Sequence, residues 1–253
     1  MSHFDTEKIE TLSAEFEDKT PQEIITWAVD SFCPRIAMSS SFQTQSVPLL
    51  HIVSQIHPSM QILFINTRYH FWETLFFREQ LASDLNLNVV DLYPDEAWTG
   101  FFQRYGEDLP QQDPDLCCFI RKVQPMQRAL EGMRAWITGI RRDQTPERAK
   151  ANIIELRKDG LIKINPLLNW TRNDILEYAN ANDLPEHPLT SKGYTSIGCV
   201  FCTRPVSSGG GDRSGRWEGS GKTECGLHTT MFNEKGRSPD EVMRTFILTS
   251  DSH

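Results

Sequence analysis

Two cysteine pairs, Cys117-Cys118 and Cys199-x-x-Cys202, constrain this chain more than any other feature. If the four thiols serve one metal group, two widely separated segments must meet. Zinc usually draws its ligands from C-x(2–4)-C spacing, which lets two sulfurs reach one ion. Adjacent cysteines chelate a single small ion poorly, because their Cβ atoms diverge. A cubane offers four separate irons, so neighbouring thiolates can each take one. The pattern therefore favours a [4Fe-4S] cluster over zinc. The alternatives are four buried free cysteines or two disulfides.

The chain has 253 residues, 38% of them hydrophobic, enough for one sizeable core or a core plus an extension. A formal net charge of −8 argues against nucleic acid or an anionic membrane as the main partner. No apolar run approaches a membrane span. The N-terminal residues lack the basic and apolar regions of a secretory signal. Six cysteines in a chain this long do not resemble a secreted disulfide scaffold, so a reducing, cytoplasmic setting is expected. No internal repeat is evident.

Residues 5–32 read as helical, with a capping box and an N1 proline at Thr20-Pro21-Gln22-Glu23. Strands are expected at Arg35–Met38, Gln61–Ile65, Asn88–Leu92 and Ala135–Thr138. Helical patterns alternate with them: Val47 to Ile56, Glu73 to Leu81, Glu96 to Arg104, and from the cysteine pair to about Gly132. This alternation predicts parallel βαβ units and an α/β core. Asn152–Asn165 reads as a hairpin turning at Asp159-Gly160, and Thr171 with Asp174 caps a further helix. Ser207–Gly211 is expected to be a flexible tether, and Ser238 to Leu248 a last helix. Residues 1–205 are thus expected to form the catalytic domain, and 206–253 a flexible arm.

Ligands of open parallel sheets sit beyond the carboxyl ends of strands. There lie the hydroxyl-rich turn Ser39-Ser40-Ser41 and, after the fourth strand, Gly139, Arg141, Arg142 and Arg148. The serines are either an anion cradle or simple helix caps. The arginines are either an anion site or a solvated face. Cys225 lies outside both pairs, among Arg213, Arg216, Lys222 and His228. Cations lower a thiol pKa, which makes Cys225 a candidate nucleophile, the alternative being an incidental exposed cysteine. Cys33 has no evident partner.

Taken together, Lys222-Thr-Glu-Cys-Gly-Leu-His228, Cys117-Cys118 with Arg121-Lys122, Gly139-Ile-Arg-Arg-Asp-Gln144 and Ser196-Ile-Gly-Cys-Val-Phe-Cys202 resemble the assimilatory sulfonucleotide reductases over residues 35–228. The paired cysteines resemble the iron–sulfur, adenylyl-sulfate branch. The phosphoadenylyl-sulfate branch shares the Glu-Cys-Gly-Leu-His ending but lacks the pairs. The resemblance implies an adenine-nucleotide α-hydrolase-like, Rossmann-like core and a [4Fe-4S] cluster on Cys117, Cys118, Cys199 and Cys202. It implies attack by Cys225 on adenylyl sulfate to give AMP and an S-sulfocysteine, which thioredoxin or glutaredoxin cleaves to sulfite. Lys122 and His228 are the other implied catalytic residues. Ser39, Ser40, Ser41, Thr67, Arg121, Gly139, Arg148, Arg213 and Arg216 are the implied substrate contacts. The sequence leaves room for a homo-oligomer.

Two stretches depart from the family pattern. Gln43 stands where relatives typically carry glycine, and Asn66-Thr67-Arg68 replaces Asp-Thr-Gly. The extension after His228 is longer than expected. A reductase of phosphoadenylyl sulfate, alone or alongside adenylyl sulfate, is the alternative. A tRNA-thiolating enzyme would need a Ser-Gly-Gly-x-Asp-Ser loop. A non-enzymatic iron–sulfur sensor leaves Cys225 and its basic neighbours unexplained.

Overall fold

A computed structural model describes residues 5–105, 108–206, 211, 213–219 and 222–233. The expected tether at Ser207–Gly211 lies almost entirely outside these residues, and the expected helix from Ser238 to Leu248 lies wholly outside them. The stretch 5–32 forms two helices, α1 (Thr6–Glu15) and α2 (Pro21–Phe32). The break falls before the capping box, where Glu23 N donates to the Thr20 side chain and Thr20 N donates to the Glu23 carboxylate at 2.8 Å. These reciprocal bonds satisfy donors that would otherwise be orphaned at a helix start.

There follow β1 (Ile36–Ser39), α3 (Val47–Ile56), β2 (Gln61–Ile65), α4 (Trp72–Asp84), β3 (Asn88–Leu92), α5 (Thr99–Tyr105), α6 (Leu109–Gln112), α7 (Pro114–Cys118) and α8 (Gln124–Ala129). Then come β4 (Ala135–Ile137), β5 (Ile154–Leu156), β6 (Ile162–Ile164) and α9 (Arg172–Ala181). The six-stranded sheet has the order β3-β2-β1-β4-β6-β5. Every pairing is parallel except the β5–β6 hairpin, whose turn holds Gly160 at φ 82°.

Successive strand residues point to opposite faces, and both faces are covered. Ile36 and Met38 of β1, with Ala135 and Ile137 of β4, face a core built from α2, α3 and α4, including Ile24, Leu50 and Phe77. Ala37 and Trp136 face the other core, with Trp98, Ile120, Val123 and Met126. This two-sided burial is why the strands read as continuous apolar runs.

The strand order places the site. β1 pairs with β2 on one side and β4 on the other, so the chain reverses its winding direction at β1. Connections leave the carboxyl ends of β1 and β4 in opposite directions, which opens a crevice between them. The helix carrying Cys117-Cys118 is the other element that matters. Asp113 caps it, accepting from Leu116 N at 2.9 Å. Immediately after Cys118 it widens into a π-helical turn, Phe119–Val123, before resuming as α8. The inserted residue shifts the register, so Arg121 and Lys122 do different work. Among the described residues no helix is long and apolar enough to cross a membrane.

Candidate active site

The crevice holds a cleft of about 1220 Å³ measured out to its open mouth, room for a nucleotide-sized molecule. Its floor is the serine turn. Trp136 Nε1 donates to Ser39 Oγ at 2.9 Å, Phe42 N to Ser40 Oγ at 3.1 Å, and Gln43 Nε2 to Ser41 Oγ at 2.8 Å. Each oxygen already accepts an N–H, so each hydroxyl keeps its own proton to give away. The orientation of the Gln43 amide is set by Ile197 N, which donates to its Oε1 at 2.8 Å. The turn is therefore a set of oriented O–H donors, suited to an anion. None of these three serines is the N-cap of the helical segments that follow, where Gln43 and then Ser46 stand without a side-chain capping bond.

The second departure keeps the expected backbone. Arg68 adopts φ 63°, a left-handed conformation that favours glycine. Asn66 Oδ1 accepts from Arg68 N at 3.2 Å, and the guanidinium lies 5.7 Å from the Tyr93 ring centre. Arg68 is thereby held outside the cleft lining. Thr67 lines the cleft, and its Oγ1 lies 3.3 Å from Cys199 Sγ.

Lys122, Arg148, Arg213 and Arg216 all line the cleft, with Gly139 beside them. Burial disfavours charge on Lys122, but the negative charge that Cys199, Cys118 and Cys225 carry as thiolates outweighs it and holds its pKa above the usual lysine value. Burial, aided by Arg148, pushes Arg213 down to about 10. Arg216 donates to Cys202 O at 3.1 Å and stacks over Trp217 at 4.3 Å. It packs so closely on Gly198 that an added Cβ there would run into its guanidinium.

Arg121, an implied substrate contact, does not line the cleft. It is buried between the rings of Tyr69 (4.0 Å) and Phe102 (3.8 Å) and donates to Thr67 O at 3.0 Å. The π turn directs it there, and it buttresses the loop after β2. Arg141 and Arg142 also stand outside the lining. Arg141 is fully buried, donating to Gln45 Oε1 at 2.6 Å and Asp143 at 3.0 Å. Arg142 pairs with Glu17 at 2.7 Å and fastens α1. Of Arg141, Arg142 and Arg148, only Arg148 reaches the lining.

Cys225 and His228 enter from the arm. Protein atoms surround the half-buried Cys225 on nearly all sides. Burial raises a thiol pKa, but the Lys122 ammonium and the Leu227 backbone N–H outweigh it and hold Cys225 below the usual thiol range. His228 stacks on Trp136 with centroids 5.8 Å apart and planes 13° apart. Burial, with Arg148, Lys163 and Arg213 nearby, keeps it well below the usual imidazole value and therefore neutral. Beyond it Phe232 is buried with its ring stacked 5.2 Å from that of Trp136, and its carbonyl accepts from Gln127 at 2.8 Å. The extension thus fastens the arm just past Cys225.

Cys117 and Cys118 lie beside Cys199 and Cys202, Cys199 touching the cleft wall through Thr67, and all four thiols are free. An antiparallel bridge joins His70 to Cys199, and Val200 N donates to Tyr69 O at 2.8 Å. Burial, with Cys118 and Cys199 adjacent, pushes Cys117 up to about 12; burial does the same to Cys118. Among the described residues no three His, Cys, Asp or Glu side chains converge as ligands of one ion would. Sequence reasoning missed Gln43 as an orienting group, Trp136, Phe232 and His70. His70 lines the cleft, donates through Nε2 to Ile65 O at 2.8 Å, and is pushed down to about 4 by burial.

Residues 35–205 match the phosphoadenosine phosphosulfate reductase domain family. An adenosine 5'-phosphosulfate reductase of Chelativorans sp. is 46% identical over 220 residues, 86% of this chain and 89% of that protein. One of Streptomyces coelicolor is 39% identical over 228 residues, 88% of this chain and 96% of that protein. Among solved structures, a phosphoadenylyl-sulfate reductase of Candida auris superposes with a TM-score of 0.70 at 30% identity, covering 80% of this chain and 99% of that one.

Proposed function

The chain belongs to the phosphoadenosine phosphosulfate reductase family, and from that premise we propose that it reduces adenylyl sulfate to sulfite and AMP, with a thioredoxin or glutaredoxin as electron donor. The observation that carries the reading is the Cys225 thiol, held below its ordinary pKa beside Lys122, in one cleft with the serine donors. The Cys225 thiolate attacks the sulfur of adenylyl sulfate. The sulfur–oxygen bond to phosphate breaks, AMP departs with the electron pair, and Cys225 carries a sulfonate. A dithiol reductant then attacks the Cys225 sulfur and releases sulfite. The mixed disulfide resolves, leaving the reductant oxidised and Cys225 a thiol. Negative charge builds on the bridging oxygen during attack, where fixed cations and hydroxyl donors are most effective.

The four free thiols, three of them buried and Cys202 half-buried, would suit a [4Fe-4S] cluster, whose separate irons can each take one of two adjacent cysteines. Such a cluster would shape the local electrostatics rather than pass electrons. The test compares sulfite release from adenylyl sulfate and from phosphoadenylyl sulfate, with thioredoxin, by protein purified without oxygen. Release from adenylyl sulfate is expected, with about four irons per chain. Release from phosphoadenylyl sulfate alone, the substrate named for the Candida auris protein, would favour that second reading. Stoichiometric zinc without iron overturns the cluster.

Gln43→Glu tests the serine turn. A carboxylate there would accept the Ser41 proton and add charge to an anion site. AMP binding is expected to weaken by about 10- to 100-fold, the worth of a hydrogen bond to a charged group. Unchanged affinity by calorimetry would mean that Ser41 does not donate to the ligand.

A further inference from the structure

Glu224 is buried, with only 2% of its side chain exposed, directly before the nucleophile. Its Oε1 accepts from Arg148 Nε at 2.7 Å and Thr145 Oγ1 at 3.0 Å. Its Oε2 accepts from Arg148 Nη2 at 2.8 Å and Arg213 Nη2 at 3.4 Å. The third nitrogen of Arg148, Nη1, donates to Gln144 Oε1. Gln144 in turn donates to Gln45 Oε1 at 2.8 Å, at the head of the helix that follows the serine turn. All three guanidinium nitrogens of Arg148 already face protein oxygens, so it is spoken for by the arm. The cations that hold Glu224 also hold its carboxyl below the usual range against the opposing effect of burial.

We propose that Glu224 is the positioning residue of the nucleophile: its pair with Arg148 is the latch that seats Cys225 in the cleft, and Arg148 serves to receive it rather than to bind substrate. A buried carboxylate is stable only while its fork of donors is complete. Once the pair opens, both charges are better off in water, so the latch has a seated and a released state with little between them. Consecutive Cα atoms are about 3.8 Å apart, so a seated Glu224 leaves Cys225 little freedom. Resting on the function proposed above, the latch opens in every turnover, because the sulfonated cysteine must meet a protein-sized reductant.

The test needs no substrate. The full chain, purified without oxygen, is treated in parallel with iodoacetamide and with a polyethylene-glycol maleimide, and modification of the Cys225 peptide is followed by mass mapping. Removing the Glu224 charge makes the thiol more reactive to both reagents, whereas unlatching favours the bulky one. The maleimide-to-iodoacetamide rate ratio therefore isolates seating. Glu224→Gln and Arg148→Lys are each expected to raise that ratio by about tenfold or more. The double variant should exceed the larger single effect by little, since both break one contact. Thr145→Val removes one hydrogen bond to Glu224 and should raise the ratio about threefold, and it carries the test if the charge variants do not fold. An unchanged ratio in a folded Glu224→Gln or Thr145→Val protein overturns the latch. That result would leave the proposed reaction standing, and failure of the sulfite assay would leave a raised ratio standing.

Discussion

A Cys225→Ser variant is expected to bind AMP and keep its metal content, yet form no covalent adduct and release no sulfite. The loss in turnover should be on the order of 10³-fold or more, as when a nucleophile is removed. The site lowers a thiol pKa through the Lys122 ammonium and the Leu227 N–H. The same influences cannot ionise an alcohol near neutral pH, so serine supplies no attacking anion. Intact mass and peptide mapping, after adding adenylyl sulfate without reductant, check this directly. A sulfonate on Cys33, or sulfite from the serine variant, would overturn the mechanism. The pH profile carries the same information. Because the Cys225 pKa is depressed, its thiolate persists below the ordinary thiol range. Adduct formation should therefore decline only as pH falls through that depressed value.

Lys122→Ala is expected to slow adduct formation by about 10²- to 10³-fold, the usual effect of removing one group that stabilises charge in a transition state. The variant removes the largest influence lowering the Cys225 pKa, so that value rises and the low-pH decline of the profile moves to higher pH. A purely structural lysine would not move it. Near-normal turnover with an unshifted profile would exclude Lys122 from the chemistry. The proposed cluster should be retained, because Lys122 is not among the four thiols that would hold it.

Among the described residues, expectations that rested on neighbours in the chain came through. The capping boxes at Thr20 and Thr171, the Asp159-Gly160 hairpin and the alternating strands and helices all appear. Each is settled within a few residues, by a cap, a turn or an apolar run. The π turn after Cys118 was not legible, because nothing in the run Phe-Ile-Arg-Lys-Val distinguishes it from ordinary helix. The basic surroundings of Cys225 marked it as a candidate nucleophile, and the family resemblance added Lys122. It also supplied Arg121, which the shifted register turns away from the cleft.

The sequence by itself determined the element order, the parallel sheet and which thiols are candidates for chemistry. Only the tertiary structure decided which polar group satisfies which. Trp136 reaches Ser39 across 97 positions, Gln43 meets Ile197 across 154, and Arg148 meets Glu224 across 76. A buried donor takes the nearest acceptor that folding delivers, and that acceptor leaves no trace in the residues beside it. Arg141 and Arg148 have similar surroundings in sequence. One is fully buried on Gln45 and Asp143, and the other reaches the cleft and holds the arm, because the polypeptide packed against each is different.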